Sequence, residues 1–271
     1  MPKKVWNWVG IGCVLALFCA SCLSTVESVA ASLPQAPKGS TKRPVVTNAE
    51  AISALKDALK VGIQSAADRL SARDGYFGDV LVKILLPEEA KPIIDNLKKI
   101  PKGRELVDDV VLRLNRAAES AAAEAVPIFT DVIMSMTIAD GIKIVKGGNR
   151  AATEYLRSRT WNSLRDLYRP KVDAALAKPL IAGVSAKKSW STLTTAYNRA
   201  GQVANSAAAL AGKKKPMPPV EVDLATYATE KALAGLFLKV GDEEEKIRKN
   251  PLGYASSMIK KVFGALKNGL L

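Results

Sequence analysis

The chain has 271 residues, with 40 Lys and Arg against 26 Asp and Glu, three cysteines and no histidine, for a net charge of +14. Cys13, Cys19 and Cys22 all fall within the first 22 residues, in a stretch that reads as an export signal. Removing it leaves no imidazole and at most one thiol, which excludes most side chains used for metal binding, nucleophilic attack and proton transfer near neutral pH.

Lys3 and Lys4 precede an apolar run from Val9 to Ala20, then Ser21-Cys22. A basic start, a short apolar core and small residues before a cut site match a secretory signal. The run is short of the roughly 20 apolar residues a spanning helix needs. Cleavage just before Cys22 would make residues 1–22 a lipoprotein-type signal with Cys22 as the lipidation site. The alternatives are cleavage near residues 30 and 31, giving a soluble periplasmic protein, or a retained signal anchor. Leu23 rather than Asp after the cysteine favours the periplasmic face of the outer membrane for a lipoprotein. Residues 23–46, with Pro34, Pro37 and Pro44, read as a flexible linker.

From residue 47 to 267 the chain reads as one all-α domain, a multi-helix bundle of about 8–10 helices. Thr47 to Glu50 has capping-box spacing, and Ile52, Leu55, Leu59, Ile63, Ala66 and Leu70 recur along one helix face up to Asp74-Gly75. Pro87 suits the first turn of a second helix. A third, from about Glu105, carries Val107, Val110, Val111, Leu114, Ala118, Ala121 and Ala125 on one side. A fourth opens at Pro127. Thr137 to Asp140 is a second capping box, and Gly147-Gly148-Asn149 separates its segment from a helix running to Pro170. Further helices are predicted over Val172 to Ile181, Ala186 to Ala211, and from about Asp223. Asn250-Pro251 is read as the cap of the last helix. The apolar run Val80 to Leu86 is the one stretch where a strand competes. About 220 residues follow the linker, enough for a substantial core in one domain.

Several segments resemble the bacterial exported family called domain of unknown function 4197. They are Asp74-Gly75-Tyr76, Leu86-Pro87, Leu114 to Glu119, Ser135-Met136-Thr137, Gly147 to Arg157, Thr229 to Phe237, Glu244 to Arg248 and Lys260 to Gly264. They occur in the family's order over about residues 50 to 264, departing at Ala234, where similar proteins carry Asp, and in a longer loop around Ala207 to Pro219. The resemblance implies an exported helical protein and no known activity.

Charge is uneven. Residues 143–215 hold 15 Lys and Arg against three acids, whereas residues 48–142 hold 12 basic and 15 acidic side chains. Arg157, Arg159, Arg165, Arg169, Lys187, Lys188, Lys213, Lys214 and Lys215 are therefore candidate contacts to a polyanion. Export and the small number of aromatics argue against nucleic acid and favour anionic lipid, lipopolysaccharide or an acidic protein. The competing reading is a solvated face that keeps the protein soluble. Asn115, Arg116 and Glu119 form a candidate buried polar cluster, read first as a self-satisfied network and second as a ligand or cation site. Glu243-Glu244-Glu245 with Lys246, Arg248 and Lys249 has the spacing of a solvated face of intrahelical pairs. Neither Asp108-Asp109 nor Glu88-Glu89 presents two carboxylates to one bond, because helical neighbours point roughly 100° apart. The last helix is read as docking on the core, with a membrane-lying helix as its rival.

No catalytic residue, metal site or cofactor is predicted. The leading function is a non-enzymatic envelope component, anchored to the membrane by lipid, whose basic region contacts an anionic partner. The alternative is a carrier of a lipid or small amphiphile held between helices, and the third reading an enzyme built on carboxylates.

Overall fold

The computed structural model describes residues 46–99, 101–179, 183–212 and 217–267, all within the second of two compact units, residues 46–271. The signal, nearly all of the linker, Cys22 and Lys213 to Lys215 lie outside the described residues. The described part is all-α, as the periodicity predicts. Its nine α-helices are α1 (Asn48–Ser71), α2 (Lys91–Leu97), α3 (Gly103–Ala122), α4 (Ala125–Ser135), α5 (Ile138–Val145), α6 (Ala151–Ala177), α7 (Ala186–Leu210), α8 (Leu224–Lys249) and α9 (Ser257–Lys267). Among the described residues there is no strand. The run Val80 to Leu86 forms turns and extended backbone, with Val82 and Ile84 buried and Val80 and Leu81 in solvent.

α1, α3, α6 and α8 pack against one another at the centre, α4, α5 and α9 close around them, and α2 and α7 lie at the margin. Every residue of the stripe predicted for α1 is buried. Alanines 117, 118, 121, 122 and 125 meet Ala228 and Ala232 of α8 in the same core, where small side chains allow helix backbones to approach closely. Phe237 ties the larger residues together, edge-on to Phe129 at 5.7 Å and stacked on Trp161 at 6.0 Å. Both predicted capping boxes form: Thr47 with Glu50 at the head of α1, and Thr137 with Asp140 at the head of α5.

Several boundaries differ from expectation: the helix read from Pro87 starts only at Lys91, after a 3-10 turn over Glu88–Ala90, and Ala125, read as part of the third helix, opens α4 two residues before Pro127. The helix predicted to stop at Pro170 runs on to Ala177, so the helix placed over Val172 to Ile181 is not separate. The reason is the buried row Leu156, Thr160, Leu164, Tyr168, Val172 and Leu176, which continues at four-residue steps past the proline. Pro170 itself faces solvent, where a missing N–H is least costly. At the other end, Asn250-Pro251 opens a 3-10 turn, and α9 starts only at Ser257. Its first turn is capped by Ser256 Oγ, which accepts from the Ile259 N–H at 3.3 Å.

α9 docks on α1, as expected, burying Ile259, Val262 and Phe263. Lys261 Nζ donates to Glu50 at 2.6 Å. That bond, with those from the Thr47 N–H and hydroxyl, lowers the Glu50 pKa from 4.5 to about 2. A carboxylate depressed on folding contributes stability above its unfolded value and loses it as pH falls through the folded value. Acid titration followed by circular dichroism should therefore show a loss of stability between about pH 4.5 and 2, and Glu50→Gln should flatten that part of the profile. Replacing Pro170 by Ala, which restores a helical hydrogen bond on an exposed face, should stabilise the protein by about 1–3 kcal/mol in urea denaturation.

Candidate functional site

Three sets of polar side chains stand out, and two of them are spent on the protein's own backbone. The first is the predicted cluster on α3. Asn115 is fully buried. Its Oδ1 accepts from the Ile84 N–H at 2.8 Å, while its Nδ2 donates to the carbonyls of Ile84 at 2.8 Å and Val111 at 2.7 Å. One turn on, Glu119 Oε1 accepts from the Tyr76 and Phe77 N–H groups, both at 3.2 Å. Its Oε2 takes Arg116 Nη1 at 2.5 Å, and Arg116 Nη2 reaches Asp74 at 2.8 Å.

The cluster thus clamps residues 74–84, a segment with no regular structure of its own, onto α3. Asp74 enters this segment at a left-handed φ of 66°, and Gly75 follows where a Cβ would overlap the carbonyls that end α1. The Tyr76 hydroxyl, whose pKa burial pushes up, donates to the Ala232 carbonyl at 2.9 Å. Beneath it, Gly235 of α8 keeps the packing open, since a Cβ there would stand 3.0 Å from both Tyr76 and Val82. Asn115 and both oxygens of Glu119 have protein partners, an arrangement that fixes a loop. Asn115→Ala would leave the buried Ile84 amide and carbonyl without partners and should cost about 2–4 kcal/mol in denaturant unfolding.

The second set corrects the reading of the glutamate triplet as a solvated face. Glu243 and Glu244 are buried, at 4 % and 7 % exposure. The N-cap position of α6 is Arg150, whose side chain makes no capping bond. Glu244, on α8, supplies that cap from outside: it accepts from the Ala152 N–H at 3.1 Å and from the Thr153 N–H and hydroxyl, both at 2.8 Å. A carboxylate on the first-turn amides also meets the positive end of the helix dipole. Arg248 braces Glu244 at 2.9 Å and donates to the Ile144 carbonyl at 3.0 Å, joining the end of α5 to the start of α6. Arg150 pairs with Glu245 at 2.8 Å and Asp242 at 3.1 Å; the bond to Arg150 is the main reason the Glu245 pKa is lowered. The i,i+4 spacing of Glu244 and Arg248 is as regular as the sequence suggests. What the sequence hides is that this face lies against α6. Glu244→Ala should cost about 2–4 kcal/mol in thermal or urea unfolding, whereas the half-exposed Glu245→Ala should cost less than about 1 kcal/mol.

The third set is the basic region, which divides in two. Along α6 three cations have carboxylate neighbours. Arg169 meets Asp223 at 2.8 Å and Asp173 at 3.2 Å, Lys171 meets Glu124 at 2.8 Å, and Arg165 lies 3.8 Å from Asp166. Arg157 sits over the Trp161 ring at 5.0 Å and Arg159 over Tyr155 at 5.4 Å. α7 is different. From residue 174 to 220 the sequence has no Asp or Glu and seven Lys or Arg. Lys187 reaches Asp173 at 3.0 Å, but Lys188 and Arg199 are exposed and have no carboxylate partner among the described residues.

α7 packs mainly on α6 and α2, and the chain returns along it as extended backbone. Asn205 brackets Met217 with bonds of 2.7 and 3.1 Å, Asn198 brackets Val220 with 2.9 and 2.8 Å, and Trp190 donates to the Val222 carbonyl at 3.0 Å. Sequence reading missed Asn198 and Asn205. Their seven-residue spacing on a helix that precedes a proline-rich return was the available signal. Among the described residues no helix is long and apolar enough to cross a membrane, and none of the acids gather as a metal-binding group.

The fold and its clamps define a small all-α bundle that uses buried polar side chains to hold irregular segments. Residues 45–264 match the family described as protein of unknown function (DUF4197), and the chain belongs to that family. It matches no curated protein and no solved structure.

Proposed function

We propose that this protein is exported, is held at the periplasmic face of the outer membrane by lipid on Cys22, and acts there as a non-enzymatic binding component. Its contact surface is the cationic arm formed by α7. The observation that carries this reading is the acid-free stretch of 174–220, whose exposed Lys188 and Arg199 keep their charge available while Arg169 and Lys171 of α6 pair with carboxylates. An uncompensated set of cations on a marginal helix suits an anionic partner, whether lipid headgroup, lipopolysaccharide or acidic protein. The export signal read in residues 1–22 supports the address.

Each cation near an anionic surface contributes about 1 kcal/mol. Replacing Lys188 and Arg199 together by Gln should weaken binding to vesicles containing an anionic phospholipid by about 30-fold. The same change at Arg169 and Lys171 should leave binding nearly intact, and wild-type binding should fall steeply with salt. Binding indifferent to salt removes the arm from consideration. Mass spectrometry of the mature N-terminus tests the anchor separately: a diacylated or triacylated Cys22 supports it, and an unmodified start at residue 30 or 31 refutes it.

A further inference from the structure

The segment that Asn115 and Glu119 clamp onto α3 has an outer edge of the opposite polarity. Its turn, Asp79 to Lys83, places Val80 and Leu81 at the tip, 88 % and 70 % exposed, with Leu85 57 % exposed just beyond. Among the described residues no other six-residue stretch carries three large apolar side chains in solvent. Turn tips ordinarily carry Gly, Pro, Asn, Asp or Ser, so Val and Leu are not there for the turn geometry. The base, by contrast, is locked. Val82 and Ile84 are buried in the main core, and Asp79 Oδ2 meets Lys239 of α8 at 2.5 Å. Asp79 Oδ1 accepts from the Leu81 N–H at 3.0 Å, and the Asp79 carbonyl accepts from the Val82 and Lys83 N–H groups at 3.1 and 2.8 Å. Three of the four amides of residues 80–83 are therefore bonded inside the turn.

Hydrocarbon penalises unpaired backbone groups, so an apolar tip whose amides are mostly paired leaves water at low cost. Charge favours the same boundary. Within residues 73–83, Asp74 pairs with Arg116 and Asp79 with Lys239, while Arg73 and Lys83 have no carboxylate partner among the described residues. Lys83 rests instead over the Phe77 ring at 3.8 Å. The acids Glu88, Asp95 and Asp108 belong to the groove along α2. We infer that the turn Asp79–Lys83 is a shallow membrane-docking tip. Val80 and Leu81 enter the acyl boundary of an anionic bilayer, and Arg73 and Lys83 meet its headgroups. The inference rests on the proposed anchor for keeping a bilayer close at hand. Fully extended, residues 23–45 reach about 75 Å, about twice the length of the 24-residue α1 that separates the linker from the turn. The tip is separate from the contact surface proposed for α7.

The test measures how deep the tip sits. The full chain is reconstituted, at saturating lipid, in vesicles of equal parts phosphatidylglycerol and phosphatidylcholine with bromine on the acyl chains. Tryptophan emission is compared for Leu81→Trp and for Leu252→Trp, a position of similar exposure (68 %) in the turn between α8 and α9. After subtraction of the wild-type signal, quenching at Leu81→Trp should exceed that at Leu252→Trp by about threefold. It should weaken when Arg73 and Lys83 are both replaced by Gln. Equal quenching at the two positions, none at Leu81→Trp, or no dependence on Arg73 and Lys83 overturns the tip. Emission at Leu81→Trp that shifts to shorter wavelength without quenching places the turn in a protein pocket, such as one on a second copy, and overturns the bilayer as its partner. The signal comes from the tip alone, so it holds or fails independently of the salt test on α7 and of the mass of the N-terminus.

Discussion

The constraint that organises this bundle is that buried backbone amides and carbonyls need partners, and irregular segments supply only part of them from their own backbone. Three irregular segments packed on the helices are served by side chains from elsewhere in the fold. Asn115 and Glu119 satisfy residues 76–84, and Glu244 and Arg248 satisfy the junction of α5 and α6. Asn198 and Asn205 satisfy the return along α7. These side chains act from 12 to more than 100 residues away in sequence. They also fix register: an Asn that brackets the N–H and C=O of one residue cannot serve its neighbour without moving the whole segment.

This explains what the sequence reveals and what it hides. Capping boxes are local, so Thr47 with Glu50 and Thr137 with Asp140 are legible from spacing alone. The apolar stripes of α1 and α8 are legible for the same reason: period determines face. Glu244 is not, because its intrahelical partner Arg248 gives it a complete explanation as a surface residue, and only the approach of α6 turns that surface into interior. Pro170 misleads in the opposite direction. Its local rule is strong, but a row of six inward side chains spanning it outweighs one missing hydrogen bond on the solvent side.

Charge shows the same division between local count and spatial result. The excess between residues 143 and 215 is real as a count, yet acids contributed by other segments (Glu124 and Asp223) neutralise part of α6, and aromatic rings take up Arg157 and Arg159. No such acids come near α7 from its own sequence, because none exist between residues 173 and 221. A region that looked uniform in sequence thus becomes a partly compensated helix beside one whose Lys188 and Arg199 have no carboxylate among the described residues. The fraction of the candidate surface that was readable is its sign; its location required knowing which carboxylates fold back onto it.

The two cores differ in how they are held. Around α1, α3, α6 and α8, alanine and glycine contacts bring backbones close, and the buried network locks the loop that seals them. The small core at the margin has three buried members, Ala90 and Ile93 at α2 and Val220 on the strap of residues 217–223 that returns along α7, with a cleft left between them. Local opening free energies follow the density of buried apolar contact, so α2 and the strap belong at the low end of the stability range and the central four helices at the high end. A fold arranged this way concentrates its rigidity where Glu244 and Asn115 hold the frame, and leaves its adaptability to α2 and the strap.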